Sequence, residues 1–328
     1  LGDVYKRQID CCGRRIDYMR ISVTDRCNLR CVYCVPETGV PKIPAEELLT
    51  DDEIIRITEA AAKAGVRHIK VTGGEPLLRN QIAELIRRIR EIPGIETVTL
   101  TTNGILLPRQ MHALAEAGID GVNISLDTLD EKRYAQMTRG GELKKALDGV
   151  RVAINEGVTV KINAVLYEEH WREDALALSE LAQKYPVHVR FIEHMPLGTE
   201  VEEKAVLEED ILAFLEKYYG ESTPYEEKIG EGPGHYFSFS GLKGKIGFIS
   251  AMSHKFCSGC NRIRLTANGD LRMCLQSKSG TGLRERLRNG ATDEELVELF
   301  QKSVEQKPAG HQMSERKIEA EGMCQIGG

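Results

Sequence analysis

No stretch of this 328-residue chain is apolar for long enough to cross a bilayer, and no secretory signal pattern stands at its start. It also lacks an excess of positive charge. Lys and Arg number 44 against 50 Asp and Glu, for a formal net charge of −6, so a general nucleic-acid surface is disfavoured and an anionic ligand needs a local basic pocket. Nine cysteines in a chain of this length do not make a disulfide scaffold. Six of them form two spaced triplets, a pattern of metal ligands in a reducing cytoplasm, and neither triplet has an obvious fourth ligand. Cys11, Cys12 and Cys324 have no ligand spacing and stay unassigned. Leu1 to Gln8 shows no periodicity, and residues 1–15 are expected to form an N-terminal tail.

What is present is led by Cys27, Cys31 and Cys34, a C-x₃-C-x₂-C run just after the apolar stretch Tyr18 to Val23. Three thiolates on one loop can hold three irons of a [4Fe–4S] cluster and leave the fourth iron open. Electron-transfer clusters and structural zinc sites close with four ligands, so an open position argues for chemistry at the metal. Three neighbouring cysteines also admit a blander reading, as zinc ligands or core thiols.

Along the first two-thirds, strand and helix signals alternate. Strands are expected at Tyr18 to Val23, His68 to Thr72, Thr97 to Thr102, Val122 to Leu126, Val160 to Leu166 and Val187 to Ile192. Between them, helices are expected from a capping box at Thr50–Glu53 to about Ala64, then at Gln81 to Arg90, Gln110 to Ala117, Glu142 to Glu156 and Glu173 to Lys184. Six alternating units predict an α/β fold with a parallel sheet, an open partial (βα)₆ TIM-like barrel whose chemistry lies at the C-terminal strand ends. After a helix near Leu207 to Tyr219 the texture changes. Short antiparallel strands are expected at His235 to Ser240, Lys245 to Ser250, Ile263 to Thr266 and Leu271 to Met273, then a helix from Asp293 to about Lys302. The expected division is a barrel over 16–223 and a C-terminal α+β domain over 224–328.

The second triplet is Cys257-Ser258-Gly259-Cys260 with Cys274. If it bound zinc, His254 would be the first candidate for a fourth ligand.

The first triplet, with Tyr33 before its last cysteine, resembles the signature of radical S-adenosylmethionine (SAM) enzymes. With the second triplet, the resemblance narrows to the GTP 3′,8-cyclase family. It rests also on Arg20 to Cys27 (RISVTDRC), Thr72 to Pro76 (TGGEP), Thr101 to Gly104 (TTNG), Ser125 to Asp127 (SLD), Arg190 to Glu193 (RFIE), Asn261 to Thr266 (NRIRLT) and the terminal Gly327–Gly328. It spans roughly Ile16 to the C-terminus.

The resemblance implies two [4Fe–4S] clusters, one on Cys27, Cys31 and Cys34 and one on Cys257, Cys260 and Cys274. It implies SAM contacts from Tyr33, Gly73, Gly74, Glu75, Ser125 and Met195, with glycine letting backbone approach the cofactor. GTP contacts are implied for Arg20, Lys70, Thr101, Lys161, Arg262, Ile263 and Arg264. Lys70 stands where an Arg is commoner in the family, which turns a fork into a point charge. Arg262 and Arg264, two apart on a strand, share a face. Arg20 and the Gly327–Gly328 tail are implied to assist catalysis.

The implied reaction is a lyase step, the first of molybdenum-cofactor biosynthesis. A 5′-deoxyadenosyl radical removes the 3′ hydrogen of GTP, the carbon radical attacks C8, and reduction gives 3′,8-cyclo-7,8-dihydro-GTP. A low-potential electron donor, hand-off to cyclic pyranopterin monophosphate synthase and a homodimer follow from the same resemblance, with no nucleic acid or membrane as partner. Two other readings remain open from the residues: a radical SAM peptide maturase with an auxiliary cluster, and a non-catalytic zinc-binding protein.

Overall fold

The computed structural model describes residues 8–196, 206–277, 279–313 and 325. β1 (Tyr18–Ser22) is followed by the cysteine loop and α1 (Asp51–Lys63). α1 starts where the capping box places it. Thr50 Oγ1 accepts from the Glu53 amide at 3.2 Å, and Glu53 Oε2 accepts from the Thr50 amide at 2.8 Å, so two otherwise unpaired helix-end donors are satisfied. Strand and helix then alternate: β2 (His68–Thr72), α2 (Ile82–Arg90), β3 (Thr97–Thr102), α3 (Leu107–Glu116) and β4 (Gly121–Ser125). α4 (Glu131–Thr138) and α5 (Leu143–Asn155) lead to β5 (Thr159–Val165), α6 (Trp171–Lys184), β6 (His188–Ile192) and α7 (Glu208–Tyr219). The C-terminal third supplies β7 (Thr223–Tyr225), β8 (His235–Ser238), β9 (Ile246–Ile249), β10 (Arg262–Leu265), β11 (Asp270–Arg272) and β12 (Thr281–Gly282), then α8 (Leu283–Arg288) and α9 (Asp293–Glu305).

The strands form one sheet in the order β12-β11-β10-β1-β2-β3-β4-β5-β6-β9-β8-β7. β1 to β6 are parallel in sequential order, and the sheet does not close, as expected of a partial barrel. Its helix-facing layer is apolar. Met19, Ile69, Val71, Val98, Leu100, Val122, Ile124 and Ile162 are fully buried, and they pack with Ile54, Ile57, Leu85, Ile86 and Ile89 from the flanking helices.

The C-terminal strands do more than form antiparallel hairpins. β8 and β11 are antiparallel to their neighbours, but β9 runs parallel to β6 and β10 runs parallel to β1. An open barrel has two edges with unpaired backbone groups, and these strands pair with both. The C-terminal third is therefore continuous with the barrel sheet. α4, α8, β7 and β12 had no counterpart in the sequence reading, and α3 starts at Leu107 rather than Gln110.

Within residues 8–15, expected as part of a tail, Asp10 and Arg14 are anchored in the fold. Ile9 and Arg15 form an antiparallel bridge, and Asp10 and Arg14 are buried as an ion pair at 2.6 Å. The Arg14 guanidinium donates to the carbonyls of Cys257 (2.8 Å), Pro308 (2.7 Å) and Ala309 (3.1 Å), which explains its burial.

α9 packs on α1, and its Phe300, 1% exposed, belongs to the hydrophobic core. Phe300→Ala should cost about 3–5 kcal/mol through the cavity it leaves. Denaturant unfolding of the two proteins side by side checks this; an unchanged midpoint would refute the packing role.

Candidate functional site

The first triplet sits at the C-terminal edge of the sheet, on a loop held from three sides. Backbone amides of Gly74 and Glu75 donate to the carbonyls of Thr24 and Arg26, each at 2.7 Å. A Cβ at Gly74 would run into the Arg26 carbonyl, and one at Gly73 would lie 2.6 Å from the Thr24 oxygen. The close approach that these glycines permit is thus to the cysteine loop itself. From the second side, amides of Arg30 and Val32 donate to the carbonyls of Thr138 and Met137 at the end of α4. Arg139, in the left-handed region at φ 52°, reaches the carbonyls of Arg30 and Val35. From the third, the Tyr33 hydroxyl donates to Asp127 Oδ2 at 2.9 Å, and Asp127 Oδ1 accepts from the Val165 amide. Burial pushes Asp127 up to about 6 and Cys31 up to about 12, the latter reinforced by the charges of Asp127 and Cys27.

Glu75 is 1% exposed. Its carboxylate accepts from the Leu77 amide (3.1 Å), Thr102 Oγ1 (2.7 Å) and the Asn103 amide (2.8 Å), and burial raises it to about 7. These bonds tie the ends of β2 and β3 together. Its carboxylate is committed inside the protein, where it shapes the turn that seats the cysteine loop.

Below the loop, the concave face of the sheet carries cations in register. Arg20 pairs with Lys70 on β2 and with Arg264 on β10, while Tyr18 pairs with Arg262. Thr101 pairs with Asn123, Asn123 with Lys161, and Asn163 with Arg190. Lys70, Lys161, Arg190 and Arg264 are all less than 9% exposed. The Asn123 side chain, with its oxygen turned to the cations, accepts from Lys70 Nζ at 2.6 Å and Arg190 Nη2 at 3.0 Å. Arg190 also donates twice to Asn163 Oδ1. Burial first, then mutual repulsion, lowers these bases: Arg20 to about 10, Lys70 and Arg264 well below their ordinary values. Lys161 falls from 10.5 to about 8 through burial and Arg190, against an upward pull from Glu231. Thr101 Oγ1 is buried without a hydrogen-bond partner among the described residues. Clustered buried cations and an unpartnered hydroxyl are the chemistry of a polyanion site.

The second triplet lies at the opposite, N-terminal edge of the sheet. Cys257 and Cys260 precede β10, and Cys274 follows the antiparallel β11 back to the same edge. Two buried cations gather its three segments. Lys307 Nζ donates to the carbonyls of Arg262 (2.7 Å) and Met273 (2.6 Å), and Arg14 holds the Cys257 carbonyl. Burial pushes the Cys260 thiol up, but the charges of Arg262 and Lys307 outweigh it and leave the thiol below its ordinary value. His254 lies 3.3 Å from Glu209 as an exposed pair. Among the described residues no three His, Cys, Asp or Glu side chains converge on a point where one metal ion would sit.

Most expected residues therefore lie on one face between the two triplets. Ser125 closes β4, and Met195 is half-buried beyond β6. Ile263 departs from the set. It is 1% exposed and points to the opposite side of β10 from Arg262 and Arg264, so only its backbone can meet a ligand on their face. Gly327, Gly328 and Cys324 lie outside the described residues; Gln325 donates to the Pro41 carbonyl at 3.1 Å. Cys11 and Cys12 are exposed, with sulfurs 3.8 Å apart. The sequence reading missed Asn123, Arg14 and Lys307 and left Arg190 without a role. Arg190 was findable, because strand alternation puts it on the Lys161 side of the sheet. Lys307 joins segments far apart in sequence and carried no local signal.

Sequence profiles of known families match most of the chain: the radical SAM superfamily over residues 21–182 and Molybdenum Cofactor Synthesis C over residues 187–313. The GTP 3′,8-cyclase of Clostridium perfringens (strain SM101) is 45% identical over 318 residues, covering 96% of this chain and 98% of that protein. The chain belongs to the GTP 3′,8-cyclase family. The family's Pelotomaculum thermopropionicum member is 44% identical over 319 residues, with the same coverage. Among solved structures, Streptococcus suis SuiB shares the fold at TM-score 0.62 and 16% identity, over 87% of this chain and 68% of that one. Membership in the radical SAM superfamily implies a [4Fe–4S] cluster and SAM. Among the described residues, no helix is long and apolar enough to cross a membrane.

Two outcomes follow from this geometry. Gly74→Ala should cost about 1–3 kcal/mol by overpacking and should misplace the cysteine loop. Iron content and visible absorbance after reconstitution check it; wild-type cluster loading would sink the seating role. Affinity for inorganic tripolyphosphate should fall as pH rises through about 8, where Lys161 loses its proton, and binding near that pH should take up protons. Calorimetry in buffers of different ionisation enthalpy reads this. Heats that do not depend on the buffer would argue against it.

Proposed function

We propose that this chain cyclises GTP between its ribose and its base in a cavity strung between two clusters, one at each edge of the sheet. The observation that carries the reading is the placement of the two cysteine triplets at opposite ends of β1 and its partner β10, with the cation row between them. Five residues of strand separate the edges by about 16 Å at ~3.3 Å per residue, a span that one extended nucleotide can bridge.

Cys27, Cys31 and Cys34 would hold the cluster that takes SAM, and Cys257, Cys260 and Cys274 a second one facing the purine. When bound, the first cluster and SAM supply a 5′-deoxyadenosyl radical after one-electron reduction, delivered by a low-potential donor. The protein's own part is placement. Tyr33, fixed on Asp127, and the Gly73–Gly74 turn keep the cysteine loop at the strand ends. Ser125 and Met195 stand on the same side for SAM. Lys70, Lys161, Arg262 and Arg264, with the Thr101 hydroxyl, receive the triphosphate, where buried cations act at full strength because water is excluded. Asn123 holds both Lys70 and Arg190 through its side-chain oxygen, and Arg190 joins that set. Arg20, between Lys70 and Arg264 in the strand register, would act on the reacting nucleotide as well as bind it. Gly327 and Gly328, which lie outside the described residues, would assist catalysis. A homodimer in the cytoplasm and hand-off of product to cyclic pyranopterin monophosphate synthase belong to the same reading.

Anaerobically reconstituted protein should contain iron and acid-labile sulfide rather than zinc, and GTP should stimulate its release of 5′-deoxyadenosine. Cys257→Ser should keep the first cluster and lose GTP cyclisation. Chromatography of both products decides the matter. Wild-type cyclisation by Cys257→Ser would remove the second cluster from the reading, and release indifferent to GTP would remove the substrate.

A further inference from the structure

The cation row has a carboxylate of its own. Between β7 and β8 the chain runs through Gly230-Glu231-Gly232-Pro233-Gly234, and this turn is seated on the row. Gly230 is left-handed at φ +78°, and a Cβ there would strike Lys161 Nζ. A Cβ at Gly232 would lie 3.9 Å from Arg190 Nη1, and one at Gly234 would lie 3.6 Å from Arg190 Cδ. Gly230 thus lets the turn press its backbone onto Lys161, and Gly232 and Gly234 bring the turn beside Arg190 at ordinary contact distance. Glu231, in the middle of it, brings its carboxylate 3.9 Å from Nε2 of His68, whose other ring nitrogen bonds Thr97 Oγ1 at 3.0 Å. His68 is two residues before Lys70 on β2, so it faces the same side as the row. The charge of Glu231 also bears on Lys161, where it opposes the repulsion from Arg190.

We propose that Glu231 is the resident counter-anion of the triphosphate pocket: it offsets part of the row's charge while the pocket is empty, and an incoming triphosphate takes over that role against its repulsion. The inference rests on the reading of the cation row as the triphosphate site. Buried cations of one sign destabilise the empty fold, and a nearby carboxylate relieves them. Once phosphates arrive, the same carboxylate is a like charge beside them. Glu231 therefore stabilises the empty protein and weakens its grip on nucleotide, two effects of opposite sign from one group.

The test uses reconstituted, SAM-free holoenzyme and two probes, GTP and inorganic tripolyphosphate, with affinity read by calorimetry and thermal midpoints read without nucleotide. Glu231→Gln keeps the shape and removes the charge. It should bind both probes roughly three- to tenfold tighter, the scale of removing one like charge at a few ångströms in a screened setting. Its nucleotide-free midpoint should fall. Glu231→Asp, which keeps the charge, should stay near wild type in both and guards against a variant that fails to fold. Weaker binding by Glu231→Gln would make Glu231 a nucleotide contact and overturn the proposal, as would unchanged affinity. A lower midpoint with lower affinity would mark a merely structural residue, which also overturns it. If wild-type protein binds neither probe, the triphosphate reading of the row fails first, and the proposal fails with it.

Discussion

The parallel pairing of β10 with β1 is the constraint on which the rest of the site depends. A strand from the last quarter of the chain adds to the first strand, in a register that sets Arg264 beside Arg20 and Arg262 beside Tyr18. Had the register slipped by one residue, both arginines would have turned into the helix-facing core and Ile263 into the pocket. The same pairing brings the second cysteine triplet to the edge opposite the first. Arg14 and Lys307 lock the arrangement by holding the loops around Cys257, Arg262 and Met273 through their carbonyls.

The interior of the barrel runs against the usual logic of a protein core. Lys70, Lys161, Arg190 and Arg264 are buried together, and burial and repulsion depress the ionisation of Lys70, Lys161 and Arg264. Such a face costs stability, and the fold meets that cost elsewhere: in the fully apolar layer between sheet and helices, and in neutral acceptors such as Asn123 and Asn163 that hold the guanidinium and ammonium groups apart. Preorganised charge of this kind is what a polyanionic substrate can use without waiting for side chains to rearrange.

The glycine-rich turn after β2 shows how a motif read for one purpose serves another. Gly73 and Gly74 make room for the backbone of Thr24 to Arg26, and the Glu75 carboxylate is consumed by Leu77, Thr102 and Asn103. The turn acts on the cofactor site through the loop it seats. Tyr33 behaves likewise, its hydroxyl spent on Asp127. Both the turn and Tyr33 thus serve to hold three cysteines still.

By itself the sequence determined the alternation of six strands with helices, the capped start of α1, the two cysteine triplets and the shared face of Arg262 and Arg264. All of these are local: hydrophobic period, a capping box, ligand spacing and strand alternation each act over a few residues. It did not determine that β9 and β10 would extend the barrel at both edges, that Arg14 would hold the Cys257 carbonyl, or that Lys307 and Glu231 would bear on Cys260 and Lys161. Those depend on pairings between segments tens to hundreds of residues apart. Open edges, buried carbonyls and uncompensated charge select the partner there, and no local pattern records the choice.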